Sequence, residues 1–227
     1  MKPVDILVVD DHTIVREGLR TLLDLSPDLV VVGEAQDGNQ AIFMAKSLQP
    51  AVILMDISMP RLNGLEATRH ILKDQPGIQI IILSAHSDDA YVRQAFAVGA
   101  RGFLQKQTSA HEICRAIRTV MSGESFYSRP LAQRLDRPRD DETLHQDPPH
   151  ALPPQLTGRE FAVLQLIAEG TANKASAAVL GISIKTVEKH REHLMKKLDI
   201  HDTAGLTRYA ISSGIIECSV HTTVMSG

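Results

Sequence analysis

No apolar stretch in this chain approaches the ~20 residues that a membrane-spanning helix needs, and no basic segment followed by an apolar core opens it. Membrane partners are therefore not expected, and a cytoplasmic, globular protein is; a hydrophobic content of 43% over 227 residues suits one. Cysteine is scarce. Cys114 and Cys218 stand far apart with no metal-ligand spacing beside them, which argues for reduced thiols over a disulfide. The ten histidines form no paired ligand motif either. An excess of one charge is also missing. The net charge is −3, spread as 12 Lys+Arg against 15 Asp+Glu over residues 1–128, 4 against 5 over 129–151, and 8 against 7 over 152–227. Bulk charge thus does not point to nucleic acid, and any such case must rest on local clustering.

What is present is an alternation. Apolar, β-rich runs near 4–9, 29–34, 51–55, 79–84 and 101–104 are separated by helix-period segments near 13–24, 38–48, 64–73, 88–97 and 108–121. In the first helix Val15, Leu19, Leu22 and Leu23 share a face, and in the last Ile113, Ala116, Ile117 and Val120 do so. Five βα units of this size predict an α/β domain with a doubly wound parallel sheet. From Ser128 the composition turns to Arg, Asp, Pro and His, with Pro138, Pro148-Pro149 and Pro153-Pro154 marking a linker that holds one short helix near Pro130 to Leu135. Helix signals resume at Thr157-Gly158-Arg159-Glu160, which fits a capping box. Gly170, Gly181 and Gly214 then read as helix stops and Ser183 as an N-cap, giving an all-α tail of four short helices without repeats. The expected divisions are 1–125, a linker at 126–155, a helical domain at 156–217 and a tail at 218–227.

The strand ends carry the chemistry. In an open parallel sheet, ligands bind beyond the carboxyl ends of the strands. There the first run delivers Asp10-Asp11, the third Asp56, the fourth Ser84, and the fifth Lys106. Singly, an Asp after a strand is a turn former and a Lys there is solvated; together at four strand ends they make a site. Gathered carboxylates repel and call for a cation, and oxygen-only ligands favour Mg²⁺ over zinc. Lys106 and Ser84 can hold an anion beside that metal, an arrangement suited to phosphoryl transfer with Asp56 as nucleophile.

With Met59-Pro60, Asn63-Gly64, Ser84-Ala85, Gly99-Ala100, Gly102-Phe103-Leu104 and Lys106 added to the acidic residues, residues 1 to about 125 resemble the receiver domain of a two-component response regulator. The resemblance implies the flavodoxin-like strand order 2-1-3-4-5. It also implies that Asp56 accepts phosphate from a sensor histidine kinase. Asp11, Asp56 and the Ser58 backbone carbonyl would bind Mg²⁺ directly, and Asp10 through water. Ser84 and Phe103 become the switch pair, the ring following the hydroxyl inward. Gln107 departs from the residues common after the lysine, and the isomer of the Lys106-Gln107 bond stays open at this level.

In the tail, Ile182 to Leu198 contains five Lys/Arg against two Glu. Helical spacing turns Ile184, Val187, Leu194 and Leu198 inward and puts Lys185, Lys189, Glu192, His193 and Lys196 outside, a basic surface able to reach phosphates and groove edges. A short helix ending at Gly181 makes the pair a helix-turn-helix. Residues 156–217 are similar to the LuxR-type DNA-binding domain, through Leu156-Thr157-Gly158-Arg159-Glu160, Leu166-Ile167-Ala168-Glu169-Gly170, Asn173-Lys174 and Lys185-Thr186-Val187-Glu188-Lys189-His190. The two resemblances together place the chain in the NarL/FixJ subfamily.

That likeness implies base contacts by Glu188, Lys189 and Glu192 and phosphate contacts by Thr186, His190, Lys185, Lys174 and Lys196. The partners would be double-stranded promoter DNA and a second copy of the chain, paired through a last helix near Thr203 to Ser213 when phosphorylated or DNA-bound; RNA polymerase is a further partner that such an output allows. Ala175-Ser176 departs from the family, which has an aliphatic side chain where Ser176 stands, a loss of ~2–4 kcal/mol unless neighbours close the gap. Two other readings stay open: a receiver whose helical tail binds protein, and an aspartyl-nucleophile phosphatase, although the latter needs its nucleophile after the first strand.

Overall fold

The computed structural model describes residues 2–85, 89–127, 156–213 and 215–216. They form two compact units, divided between Gly158 and Arg159. The short helix expected near 130–135, the Gly214 stop, Cys218 and the tail lie outside the described residues.

The first unit alternates strictly: β1 (Val4–Val9), α1 (Thr13–Asp24), β2 (Leu29–Ala35), α2 (Gly38–Leu48), β3 (Val52–Asp56), α3 (Gly64–Asp74), β4 (Gln79–Ser84), α4 (Asp89–Ala97), β5 (Gly102–Gln105), α5 (Ala110–Met121) and β6 (Phe126–Tyr127). The strands are parallel in the order β2-β1-β3-β4-β5-β6. The five expected strands thus stand in the expected order. Phe126 and Tyr127, read from sequence as the start of the linker, add a two-residue sixth strand against Gly102 and Phe103. Central parallel strands are covered on both faces, so they need side chains that tolerate burial on either side. Every residue of β3 is accordingly buried, as are Ile6 to Val9 of β1 and Ile80 to Leu83 of β4. The helices close the faces by single apolar stripes. Leu19 and Leu23 of α1 join Ile113, Ala116, Ile117 and Val120 of α5 over one side of the sheet.

Capping fixes where the helices begin. Asp37 accepts from the Gln40 amide, Asn63 from that of Glu66 and Ser109 from that of Glu112, each meeting one otherwise unpaired N–H of a first turn. Because the chain runs from β1 outward to β2 and then returns to β3, connections diverge between β1 and β3. That divergence opens the crevice in which a doubly wound sheet binds its ligands.

The second unit contains α6 (Gly158–Ala168), α7 (Asn173–Leu180), α8 (Ile184–Leu198) and α9 (Thr203–Ser212). Phe161, Val163, Leu164, Leu166 and Ile167 make α6 its buried centre, with Leu180, Val187, Leu194 and Leu206 contributed by the other three. Lys197 Nζ meets Glu160 Oε2 at 2.8 Å, tying the end of α8 to the first turn of α6. Gly170 and Gly181 adopt φ of 76° and 62°, the left-handed region that ends helices at little cost for glycine. Ser183 caps α8 by accepting from the Thr186 amide at 3.1 Å.

Candidate functional site

Register brings the acidic residues together. Val9 lies opposite Met55, so Asp10 and Asp56, one residue further on, emerge side by side at the divergence of β1 and β3. Asp10 is 0% exposed and Asp56 2%. Lys106, just past β5, reaches both: its Nζ lies 2.8 Å from Asp10 Oδ2 and 3.0 Å from Asp56 Oδ2. Its own amide donates to the Ser84 carbonyl at 2.8 Å, so the ends of β4 and β5 are strapped together. Ser84 and Phe103 are both buried, with the Phe103 ring inside the domain. Ser58, half-buried, follows in the loop after β3. Among the described residues no peptide bond is cis, which makes Lys106-Gln107 trans.

The loop bearing Ser58 is held in place by its neighbours. Arg61, at φ 67°, sets Nη1 3.2 Å from Asp37 Oδ2, and the Gly38 amide donates to the Leu62 carbonyl at 3.1 Å. Gly64 is needed for closeness: a Cβ there would lie 1.9 Å from the Asp56 carbonyl oxygen. The Asn-Gly pair thus performs two tasks, since Asn63 caps α3 while Gly64 lets that helix abut the end of the strand that carries Asp56.

Electrostatically the pocket is strained. Burial, followed by repulsion from Asp10, pushes the Asp56 carboxyl up to about 7 against the pull of Lys106. Burial also raises Asp11, with Asp10 adding to it and His12 and Lys106 opposing. Burial would lower Lys106, yet Asp56 and Asp10 together overcome it and the ammonium is held above its ordinary range. Asp10 Oδ2, Asp11 Oδ1 and Asp56 Oδ2 are sealed from solvent; Lys106 stands against the first and third, and the His12 imidazole 2.9 Å from Asp11 Oδ1. Three carboxylates outnumber the one ammonium, so when ionised the donor set fits a hard divalent cation.

Sequence reasoning did not single out two residues that belong to this pocket. His12 lies with Nδ1 3.1 Å from Asp10 Oδ1 and 2.9 Å from Asp11 Oδ1. Arg16 donates through Nη1 to the Asp10 carbonyl at 2.8 Å and pairs with Glu34 at 3.3 Å. The one available signal was position: Arg16 stands one helical turn after His12, which itself adjoins the acid pair.

In the second unit Lys174, Lys185, Glu188, Lys189, Glu192, His193 and Lys196 are exposed and Thr186 and His190 half-buried. Val187 and Leu194 are buried as the spacing predicts, but Ile184 is 44% exposed and Leu198 only half-buried. Ile184 opens α8 directly after its cap, so no preceding turn covers it. Ser176 is 2% exposed, an interior position of α7 beside the buried Ala177.

Comparison with known proteins agrees with both halves. The response regulator receiver domain model matches residues 6–118, and the model described as bacterial regulatory proteins, luxR family, matches residues 154–210. The chain is 39% identical over 209 residues to the transcriptional regulatory protein LiaR of Bacillus subtilis, covering 91% of this chain and 96% of that one. It is 31% identical over 225 residues to the transcriptional regulatory protein DegU of Brevibacillus brevis, covering 94% and 95%. Among solved structures, RcsB from Salmonella enterica serovar Typhimurium, bound to promoter rprA in the presence of the phosphomimetic BeF3⁻, gives a TM-score of 0.68 at 26% identity, covering 92% of this chain and 99% of that one. With a receiver fold, an acidic pocket at its β1–β3 crevice and a helix-turn-helix unit after it, the chain belongs to the two-component response regulators that join a receiver to a LuxR-type domain and regulate transcription.

Proposed function

We propose that Asp56 is the phosphoacceptor and that its phosphorylation governs DNA binding by the helical unit. The observation that carries this is the group of sealed carboxylate oxygens that one ammonium does not neutralise. Asp11, Asp56 and the Ser58 carbonyl would hold Mg²⁺, with Asp10 acting through water. When bound, that ion supplies charge neutralisation for the carboxylates and the incoming phosphoryl group. Asp56 forms the new P–O bond while the P–N bond to a kinase histidine breaks, its electron pair leaving with the imidazole. Lys106, already within ion-pair distance of Asp56, draws off charge from the phosphoryl oxygens, and Ser84 donates its hydroxyl to them. Phe103 backs that movement from the adjacent strand. The chain turns over no substrate of its own beyond gaining and losing this phosphate.

The output runs through α8. Lys185, Lys189, Lys196 and Lys174 supply exposed positive charge for phosphates together with Thr186 and His190, while Glu188, Lys189 and Glu192 face base edges. A dimer formed on phosphorylation or on DNA would read two half-sites, and two dimers of the related RcsB are described on two parallel DNAs. Promoter DNA places the action in the cytoplasm, with a sensor kinase upstream and RNA polymerase downstream.

Incubation with a small-molecule phosphodonor and Mg²⁺, read by intact mass, is expected to add one phosphate to the wild-type chain and none to Asp56→Ala. Modification that persists in Asp56→Ala refutes the assignment. For the output, replacing Lys189 and His190 by Ala is expected to weaken binding to target promoter DNA. The slope of log affinity against log salt should flatten by about 0.9 for each DNA phosphate that is no longer neutralised. Unchanged affinity and slope would move the output to protein binding.

A further inference from the structure

Phe103 shares a ladder with the residues at which the chain leaves the sheet. β6 pairs with β5 in parallel, Gly102 opposite Phe126 and Phe103 opposite Tyr127. The Phe126 amide donates to the Arg101 carbonyl at 2.9 Å, its side chain is 6% exposed in the core cluster that α5 covers, and the Arg115 guanidinium carbon lies 5.0 Å from the ring centroid. Phe126 is thus pinned, but a two-residue strand at the edge of a sheet has few ladder bonds to hold it, and each contributes only modestly. Leu104 joins the cluster under α5, so the alternation of faces along β5 turns Phe103 to the opposite side of the sheet, where it is 1% exposed. α4 also packs against β5, and β4 flanks it on one side. From that interior the way to solvent runs past the other edge of β5, where β6 lies about 4.8 Å off. A ring turning outward would sweep across the edge that β6 covers.

We propose that β6 is an output strap of the receiver, seated on β5 while the Phe103 ring is inside and released when the ring turns out. The inference rests on the reading of Asp56 as phosphoacceptor and of Ser84 with Phe103 as its switch pair. Both switch residues are buried in this structure, and β6 is paired in the same state, so an inward ring and a seated strap go together. A phosphoryl group that holds the Ser84 hydroxyl keeps the ring inside, and thereby keeps the start of the linker on the sheet. The shortness of β6 is what makes it switchable, because a longer strand would stay paired whichever way the ring stood. Coupling of this kind is reciprocal, so unpinning β6 takes from the phosphorylated state part of its advantage.

The full-length protein is treated with a small-molecule phosphodonor and Mg²⁺, phosphate uptake is read by intact mass, and hydrogen exchange is followed in the peptide that carries the Phe126 amide. Phosphorylation of the wild type is expected to slow exchange there by about fivefold or more. In Phe103→Leu, whose side chain is too short to cross the edge of β5, exchange is expected to be slow already and to change by less than about twofold on phosphorylation. Phe126→Ala removes the anchor and leaves the pocket intact. It is expected to take up phosphate within about twofold of the wild type, yet to lose about two thirds of the gain in affinity for promoter DNA that phosphorylation brings. Unchanged exchange in the phosphorylated wild type, a full response in Phe103→Leu, or a full gain in Phe126→Ala each overturns the strap alone. A wild-type chain that takes up no phosphate overturns it together with the phosphoacceptor reading of Asp56.

Discussion

Replacing Asp56 by Asn should stabilise the metal-free receiver, and by an amount that depends on pH in a defined direction. Asp56 titrates near 7 in the fold against an ordinary 3.8. The native state therefore holds the proton more tightly than the unfolded chain does, and ionising the group opposes folding. This penalty is absent below about pH 4, grows between 4 and 7, and is complete above 7. Three pH units correspond to about 4 kcal/mol, the ceiling for the gain in Asp56→Asn at pH 8. That shift already contains the pull of Lys106, which in the variant keeps Asp10 at 2.8 Å, and relaxation of the pocket with entry of water brings the expected gain to roughly 2 kcal/mol. Hydrogen exchange of β1, β3 and β4 peptides, measured on the full chain without divalent ions, reads the opening free energy of that core directly. Roughly 2 kcal/mol appears as about 30-fold slower exchange than wild type at pH 8, with little difference at pH 4.5. Slower exchange by the same factor at both pH values, or no slowing at pH 8, would show that Asp56 carries no buried-charge penalty.

Two further outcomes follow from the same geometry. Protons and cation compete for Asp11 and Asp56, both raised, so Mg²⁺ affinity measured by calorimetry should climb as pH rises from 5 to about 7.5 and level off beyond it; a flat profile would exclude these carboxylates as its ligands. Gly64→Ala drives a Cβ to 1.9 Å from the Asp56 carbonyl and should cost more than ~3 kcal/mol in calorimetric unfolding, while Gly18→Ala in α1, with nothing within 4 Å, should gain about 0.5–1 kcal/mol.

The parts of this molecule that could be read directly are those where one residue type answers to one environment. The stretches Ile6–Val9, Val52–Met55 and Ile80–Leu83 of β1, β3 and β4 are apolar without interruption because both faces of a central parallel strand are covered, and their ends marked Asp10, Asp56 and Ser84 without any knowledge of the turns between. Cap residues were legible for the same reason: Ser183 sits one residue before α8, as its chemistry requires. Phe126 and Tyr127 escaped because two residues carry no period, and their pairing with β5 is decided by where α5 releases the chain. Ile184 was misplaced because the helical wheel assigns an inward direction to a first-turn position that no preceding turn shields. His12, and the Arg61–Asp37 link between the β3–α3 and β2–α2 loops, depend on how loops from different strands meet, which no local pattern encodes.

The hydrogen bond from the Lys106 amide to the Ser84 carbonyl makes two strand tips into a single part. A hydroxyl and an ammonium that stand on different strands, and twenty-two positions apart in the chain, share one backbone joint. Displacing either tip displaces the other, so substitutions at Ser84 and Lys106 should act non-additively in a double-mutant cycle even where their side chains do not meet. What the pocket presents to an incoming anion is then one rigid jaw, opposed to the Asp10–Asp56 side, rather than two independent fingers.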